Sequence, residues 1–203
     1  MVRKRFENIS QEDNMKKQIG KTNALYPSLT TILGTTINNR PNFITIAHVG
    51  IMNHGDPQYL SFGVSKSHFS NQGIIENKMF SVNIPSRDLV VETDYFGIMT
   101  GKNTDKSAVL ETFCTEGYEA APMLKRCPVS MICKLAKTID FETHDVFIGE
   151  IVATYANEEV LVNNKIDISK VNPLLFDMSS IKYWSLGEPV AGAWNAGKAL
   201  KKK

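Results

Sequence analysis

The chain has 203 residues, of which 42% are hydrophobic and 22% charged, and a formal net charge of +2. That length accommodates one domain with appended termini and a sizeable core, and two full domains are not expected. So small a charge gives no electrostatic reason to expect a polyanionic partner, and no apolar run approaches the roughly 18 residues that a membrane-spanning helix needs.

Residues 1–24 read as a polar N-terminal arm, 25–198 as the folded domain and 199–203 as a basic C-terminal tail. Positive charge gathers at the two ends, in Arg3, Lys4 and Arg5, Lys16 and Lys17, and Lys201 to Lys203, where solvated tails ordinarily carry it. Neither nucleic acid nor a membrane surface is therefore expected as a partner. The first basic cluster is followed by Glu7, Glu12 and Asp13 rather than by an apolar core, so it is not a signal peptide, and the expected location is cytoplasmic.

Within the domain, Leu29 to Ile37 is rich in threonine and aliphatics, Asn38 to Pro41 is a turn, and Asn42 to Val49 alternates again, which predicts a β-hairpin. Tyr59 to Val64 predicts a third strand. Ser67 to Lys78 then switches to a helical period with Ile74 and Ile75 facing inward, and Met79 to Ile84 returns to strand before Pro85 ends it. Ser86 and Asp88 are placed to cap a second helix that runs through Val90, Val91, Tyr95 and Ile98 to Gly101, and Thr104 and Asp105 to start a short third helix reaching about Thr112. The following loop to Pro128 is long for a compact domain, which suits contact with a ligand or a second subunit.

Val129 to Phe141 and Val146 to Tyr155 predict two long strands joined by Glu142 to Asp145, and Glu159 to Val162 with Phe176 to Trp184 a further strand pair. Many antiparallel strands with few helices between them define a mainly β fold, an antiparallel barrel of Greek-key type with inserted helices. The three cysteines, Cys114, Cys127 and Cys133, lack CxxC spacing and suit reduced core positions rather than disulfides.

Most familiar chemistry is missing. Gly20-Lys21-Thr22 imitates the end of a P-loop, but Met15 stands where its first glycine is required. There is no GxGxxG, GxSxG or HExxH, and Asn8-Ile9-Ser10 matches a sequon without a secretion signal. The four histidines, His48, His54, His68 and His144, find no acidic or cysteine neighbours that complete a ligand set, so no metal site is expected. One stretch does concentrate donors. Ser65, Lys66, Ser67, His68 and Ser70 place three hydroxyls and two potential cations at a strand-to-helix junction, where unpaired amides and the helix dipole attract a phosphate. A helix cap with solvated neighbours explains the same serines without a ligand.

The order of several short motifs resembles the flavin reductase family of FMN-binding split β-barrels, which includes flavoredoxins. The resemblance spans most of the chain and rests on Arg40-Pro-Asn42-Phe-Ile-Thr45-Ile-Ala47, Ser67-His68-Phe-Ser70, Phe80-Ser-Val-Asn83-Ile-Pro85, Asp94-Tyr95-Phe-Gly97, Thr100-Gly101 and Asp105-Lys106. It continues through Ala121-Pro122, Cys127-Pro128, His144-Asp-Val-Phe-Ile-Gly149-Glu150 and Tyr183-Trp184. It implies a homodimer with non-covalent FMN near the subunit interface. The ring would lie against Thr45, Ile46 and Ala47, and the phosphate would meet Ser65, Lys66, Ser67, His68, Ser70 and Lys106, with Asn42, Asn83, Thr100 and Gly101 completing the cofactor set. This chain has Phe96 where the family often has cysteine, Thr100 where it has serine, His68 where many members have arginine, and Asp56-Pro57-Gln58 in place of a double proline.

The implied function is an oxidoreductase passing electrons from NAD(P)H through FMN to an acceptor. His144 is the one side chain expected near the nicotinamide, against the simpler reading of a solvated loop histidine. The rival expectation is an electron carrier that exchanges electrons with a redox protein and uses no nicotinamide. A colourless barrel without cofactor is a third.

Overall fold

The computed structural model describes residues 16–201. In chain order the strands are β1 (Ser28–Leu29), β2 (Thr31–Ile37), β3 (Arg40–Ile46), β4 (Val49–Asn53) and β5 (Tyr59–Ser65), followed by helix α1 (Ser70–Asn77). β6 (Met79–Ile84) leads to α2 (Val90–Ile98), short strands β7 (Thr112–Phe113) and β8 (Met123–Leu124), and the long hairpin β9 (Val129–Asp140) and β10 (His144–Ala156). The chain closes with β11 (Leu161–Val162), β12 (Lys165–Ile166), α3 (Ile168–Val171), β13 (Leu175–Asp177) and β14 (Lys182–Trp184).

Seven strands form one antiparallel sheet in the order β3-β2-β6-β9-β10-β5-β4. Its two edges, β3 and β4, are consecutive in sequence, so the chain crosses from one edge to the other at Ala47–His48 without pairing them. The barrel is split at that seam. Asn38 and Asn39 both take positive φ at the tip of the β2–β3 hairpin, the left-handed pair that a two-residue turn requires and that asparagine tolerates.

Strand alternation fills the barrel. Leu33, Ile44, Phe62, Val64, Phe80, Val82 and Phe147 share its interior with Ile74 of α1, while Ile32, Phe43, Leu89, Phe96 and Leu124 form a second cluster beneath α2. Phe43 and Phe96 meet at 5.5 Å between ring centroids and fasten α2 to β3. α1 lies close on β2 because Gly73 offers no Cβ; one placed there would crowd Ile37 and Thr35.

Several local expectations are corrected. Helix α1 starts at Ser70 rather than Ser67, because Ser65 to His68 close a turn in which His68 N–H donates to Ser65 O at 3.0 Å. Ile74 is fully buried but Ile75 is exposed, as adjacent residues on a helix point about 100° apart. Val91 and Ile98 of α2 are likewise exposed. Ser86 and Asp88 hydrogen-bond to each other instead of capping α2, which is preceded by a 3₁₀ turn at Arg87–Leu89.

The helix expected from Thr104 is a series of turns: Asp105 accepts from Ser107 N–H at 2.9 Å, and Lys106 is drawn beneath the surface. The strand pair expected between 159–162 and 176–184 is absent, since β11 pairs with β12 and β13 with β14 and β1. Cys127 and Cys133 are buried but Cys114 is exposed. Of the polar arm, residues 1–15 lie outside the described part, as do Lys202 and Lys203 of the tail. No helix among the described residues is long and apolar enough to cross a membrane.

Candidate functional site

The junction from β5 to α1 faces the segment that follows α2, and the two enclose a cavity of about 170 Å³ lined by Ser67, His68, Phe69, Ser70, Thr100 and Lys106, among others. Six of the residues expected in the cofactor set, Ser67, His68, Ser70, Thr100, Gly101 and Lys106, therefore share one small space. Asn42 adjoins it and donates through Nδ2 to Ser70 Oγ at 2.7 Å, which leaves the serine O–H free to donate elsewhere. Gly101 is required where it stands, because a Cβ there would collide with Asn42 Oδ1.

Lys106 governs the electrostatics. The residue is 3% exposed, its Nζ donates to Phe43 O and Phe96 O at 2.9 Å each, and among the described residues no carboxylate lies within ion-pair distance. An ammonium has three N–H donors, so one remains. Burial lowers its pKa from 10.5 to about 8, the response of a cation removed from water without a counterion. His68 shows the same need from another side: its Nδ1 is buried without a partner. Burial foremost, then the charges of Lys106 and His144, hold the imidazole below its ordinary pKa.

Helix α1 adds the positive end of its dipole. No side chain caps its N-terminus and no acidic residue stands in its first turn. Its positive end, the spare ammonium hydrogen, the Ser70 hydroxyl and the partnerless imidazole nitrogen all suit a compact anion with several acceptor oxygens. A phosphate monoester fits that donor set.

Other expected site residues have different places. Lys66 does not face the cavity; it forms ion pairs with Asp140 and Asp145 and ties the tip of the β9–β10 hairpin to the site loop. Asn83 leaves the cofactor set altogether, since it is fully buried and all its capacity is spent within the barrel. Its Nδ2 donates to Ile32 O and Ser81 Oγ, and its Oδ1 accepts from Leu124 N–H and Ser130 Oγ. Ser65 Oγ lies 2.9 Å from Ser67 Oγ.

Thr45, Ile46 and Ala47 run along the end of β3 towards the seam. Thr45 Oγ1 donates to Thr93 O, while Ile46 O and Ala47 O accept from Thr31 and Ser28 hydroxyls. As β3 is an edge strand, alternate amides there lack a strand partner and are available to the polar rim of a planar ligand.

At the seam His144 and His48 sit with ring centroids 5.7 Å apart, and His48 Nε2 lies 2.9 Å from the Tyr26 hydroxyl. His144 pairs with Ser65 across β10 and β5, which brings the hairpin tip to the phosphate loop. Sequence reasoning missed Tyr26, His48 and Phe69 as neighbours of the site. Phe69 lies inside the Ser67-His68-Phe-Ser70 motif without a role assigned to it; Tyr26 and His48 belong to no motif, and their proximity comes from the seam joining strands that are distant in pairing order.

A split barrel with one anion-ready corner and an open amide edge defines a class of nucleotide-accommodating β-barrels. Comparison with known proteins makes the assignment specific. The model of the flavin reductase like domain matches residues 23–185, and the chain belongs to that family. The structure is similar to flavoredoxin from Methanosarcina acetivorans, with 37% identity and a TM-score of 0.86 over 91% of this chain and 100% of that one. It is also similar to flavoredoxin of Desulfovibrio vulgaris (Miyazaki F), at 34% identity and a TM-score of 0.82, over 90% of this chain and 100% of that one. An uncharacterized protein of Archaeoglobus fulgidus is 26% identical over 129 residues, 63% of this chain and 72% of its own. FMN, the expected cofactor, agrees with this membership and with the donors at the corner.

Proposed function

We propose that the protein is an FMN-dependent oxidoreductase that passes electrons from NAD(P)H to an acceptor. The observation that carries this reading is Lys106, a buried cation without a counterion among the described residues, at the edge of a cavity that also holds a partnerless imidazole nitrogen and an uncapped helix start. Isolating such a charge is unfavourable unless an anion neutralises it, and the phosphate of FMN is that anion.

Hydride acceptance and onward electron release are the chemistry that FMN supplies when bound. The chain binds and orients. Ser70 O–H, Lys106 Nζ and the α1 amides hold the phosphate, and the edge amides between Thr45 and Ala47 donate to the polar rim of the ring, where they favour its reduced, more negative state. At the seam, His144 and His48 border the approach to the ring and provide imidazole N–H groups for a nicotinamide carboxamide. No acid–base dyad is needed for hydride transfer, which agrees with the lack of one in the sequence.

The exposed apolar residues Ile98 and Met99 line this corner, and with Val91, exposed near the start of α2, they suit burial against a second copy, so the working unit is proposed to be a homodimer in the cytoplasm. The similarity to two flavoredoxins at 37% and 34% identity favours a second reading, an electron carrier that exchanges electrons with a redox protein. Mixing the flavin-loaded protein with NADH or NADPH under anaerobic conditions separates the two. Loss of flavin absorbance on a catalytic timescale supports the oxidoreductase; no loss, in a protein that dithionite does reduce, supports the carrier.

A further inference from the structure

The last described stretch of the chain has a shape that its own chain does not support. Every residue from 185 to 201 is exposed, with Val190, Trp194 and Leu200 at 100%, 96% and 87%. Among the described residues its backbone hydrogen bonds stay within it, as where Lys198 N–H donates to Asn195 O at 2.9 Å. Two of its features need a surface to hold them. Ala196–Leu200 is a short 3₁₀ helix with no buried residue, and so short a helix does not persist in water without packing. Trp194 has φ of 55°, a left-handed conformation that crowds a bulky side chain and persists only where neighbours fix it. At its exposure, no described neighbour in the same chain does so.

A matching surface lies at the root of this segment. A groove of about 510 Å³ is lined by Ile19, Ala24, Tyr26, Pro27 and Trp184 with a few polar neighbours, and Asp177 is its one charged group. The segment offers apolar side chains of the right kind, with Lys198 and Lys201 against the single carboxylate of Glu188. Yet none of residues 185–201 lines the groove, although the segment starts beside Trp184. The chain thus carries an apolar groove and a projecting apolar segment that do not meet each other. Exchange between two copies about a twofold axis satisfies both at once.

The segment also leaves the body in a suitable place. Tyr183 Oη donates to Asp94 Oδ1 of α2 at 3.1 Å, so residues 185–201 depart beside the helix proposed to face the second copy. From Ser185 to Trp194 the chain reaches up to roughly 35 Å when extended, enough to cross onto that copy. Resting on the homodimer proposed above, we infer that residues 185–201 of each copy lie across the other, with Trp194 seated in the groove between Tyr26, Pro27 and Trp184. The exchange straps the dimer. Because the Tyr26 hydroxyl is 2.9 Å from His48 Nε2, the seated segment also holds the seam through which the ring site is approached.

Oxidative cross-linking of the flavin-loaded full chain tests this, in a Cys114→Ser background because that thiol is exposed. Trp194→Cys and Ala24→Cys are co-expressed on separately tagged copies. A disulfide needs its two Cα atoms within about 7 Å, so one forms between the copies only if the segment of one reaches the groove of the other. The expected result is a cross-linked pair carrying both tags. Deleting residues 186–203 is further expected to raise the dimer dissociation constant at least tenfold in sedimentation velocity, with Trp194→Ala giving most of that rise and circular dichroism unchanged. No bond between the tagged copies, an intrachain bond when both cysteines are placed on one chain, or a dimer that deletion leaves equally tight would overturn the inference while the homodimer stands. Wild-type protein that is monomeric throughout would strike the homodimer, and this inference with it.

Discussion

Lys106 and Ser70 do different work on the same anion. Ser70 accepts from Asn42 and keeps its own hydrogen for the phosphate, so its contribution is one charge-assisted bond. Ser70→Ala is expected to weaken FMN by about 1.5–3 kcal/mol in a calorimetric titration, the ordinary worth of a bond to a charged group. The contribution of Lys106 depends on pH. In the free protein its proton is lost above about pH 8, whereas a bound phosphate dianion favours the charged form. Binding above that pH therefore takes up a proton, and FMN affinity falls as pH rises through 8 towards 9.5. Riboflavin, which lacks the phosphate, is expected to show no such fall, and neither is FMN with the Lys106→Ala variant. A pH-independent FMN Kd in the wild type would show that the ammonium does not touch the phosphate.

Between elements, the site depends on three segments that sequence separates widely: β3, the β5–α1 turn and the turn after α2. Gly101 is the tightest point among them. Gly101→Ala is expected to push Asn42 away from Ser70 and lower FMN affinity at least tenfold, while far-ultraviolet circular dichroism stays unchanged; normal affinity would mean that the turn relaxes without disturbing Asn42.

The barrel strands and the hydroxyl-rich junction were legible in the sequence because alternation and capping chemistry are local signals. Ser67, His68, Ser70, Thr100, Gly101 and Lys106 do converge. Asn83 and Lys66 were misread for one reason: a polar residue inside a motif can serve the barrel or a neighbouring hairpin as readily as a ligand, and only the partners decide. The helix expected after Thr104 failed because burying the Lys106 ammonium against two distant carbonyls overrides the local capping preference. Tyr26 and His48 were invisible because the seam, a feature of strand order, brings them to the site.

At the scale of the whole molecule, the split leaves β3 and β4 as free edges and α2 with an exposed apolar face beside the phosphate corner. Uncovered, that arrangement invites association, so a dimer formed through α2 would protect the edge and complete the walls around the ring. Val91→Asp, at a position 74% exposed, is expected to convert a dimer to a monomer in sedimentation velocity and to release flavin as it does so. A monomeric wild type, or a dimeric Val91→Asp protein, would place the interface elsewhere.

The proposed function depends on a flavin phosphate held at the corner made by Ser70, His68 and Lys106. The direct measurement is the affinity of flavin-depleted protein for FMN and for riboflavin at pH 7, which differ by that phosphate alone. The account predicts that FMN binds at least a hundredfold more tightly and that Lys106→Ala removes most of the difference. Equal affinities for the two flavins would contradict it.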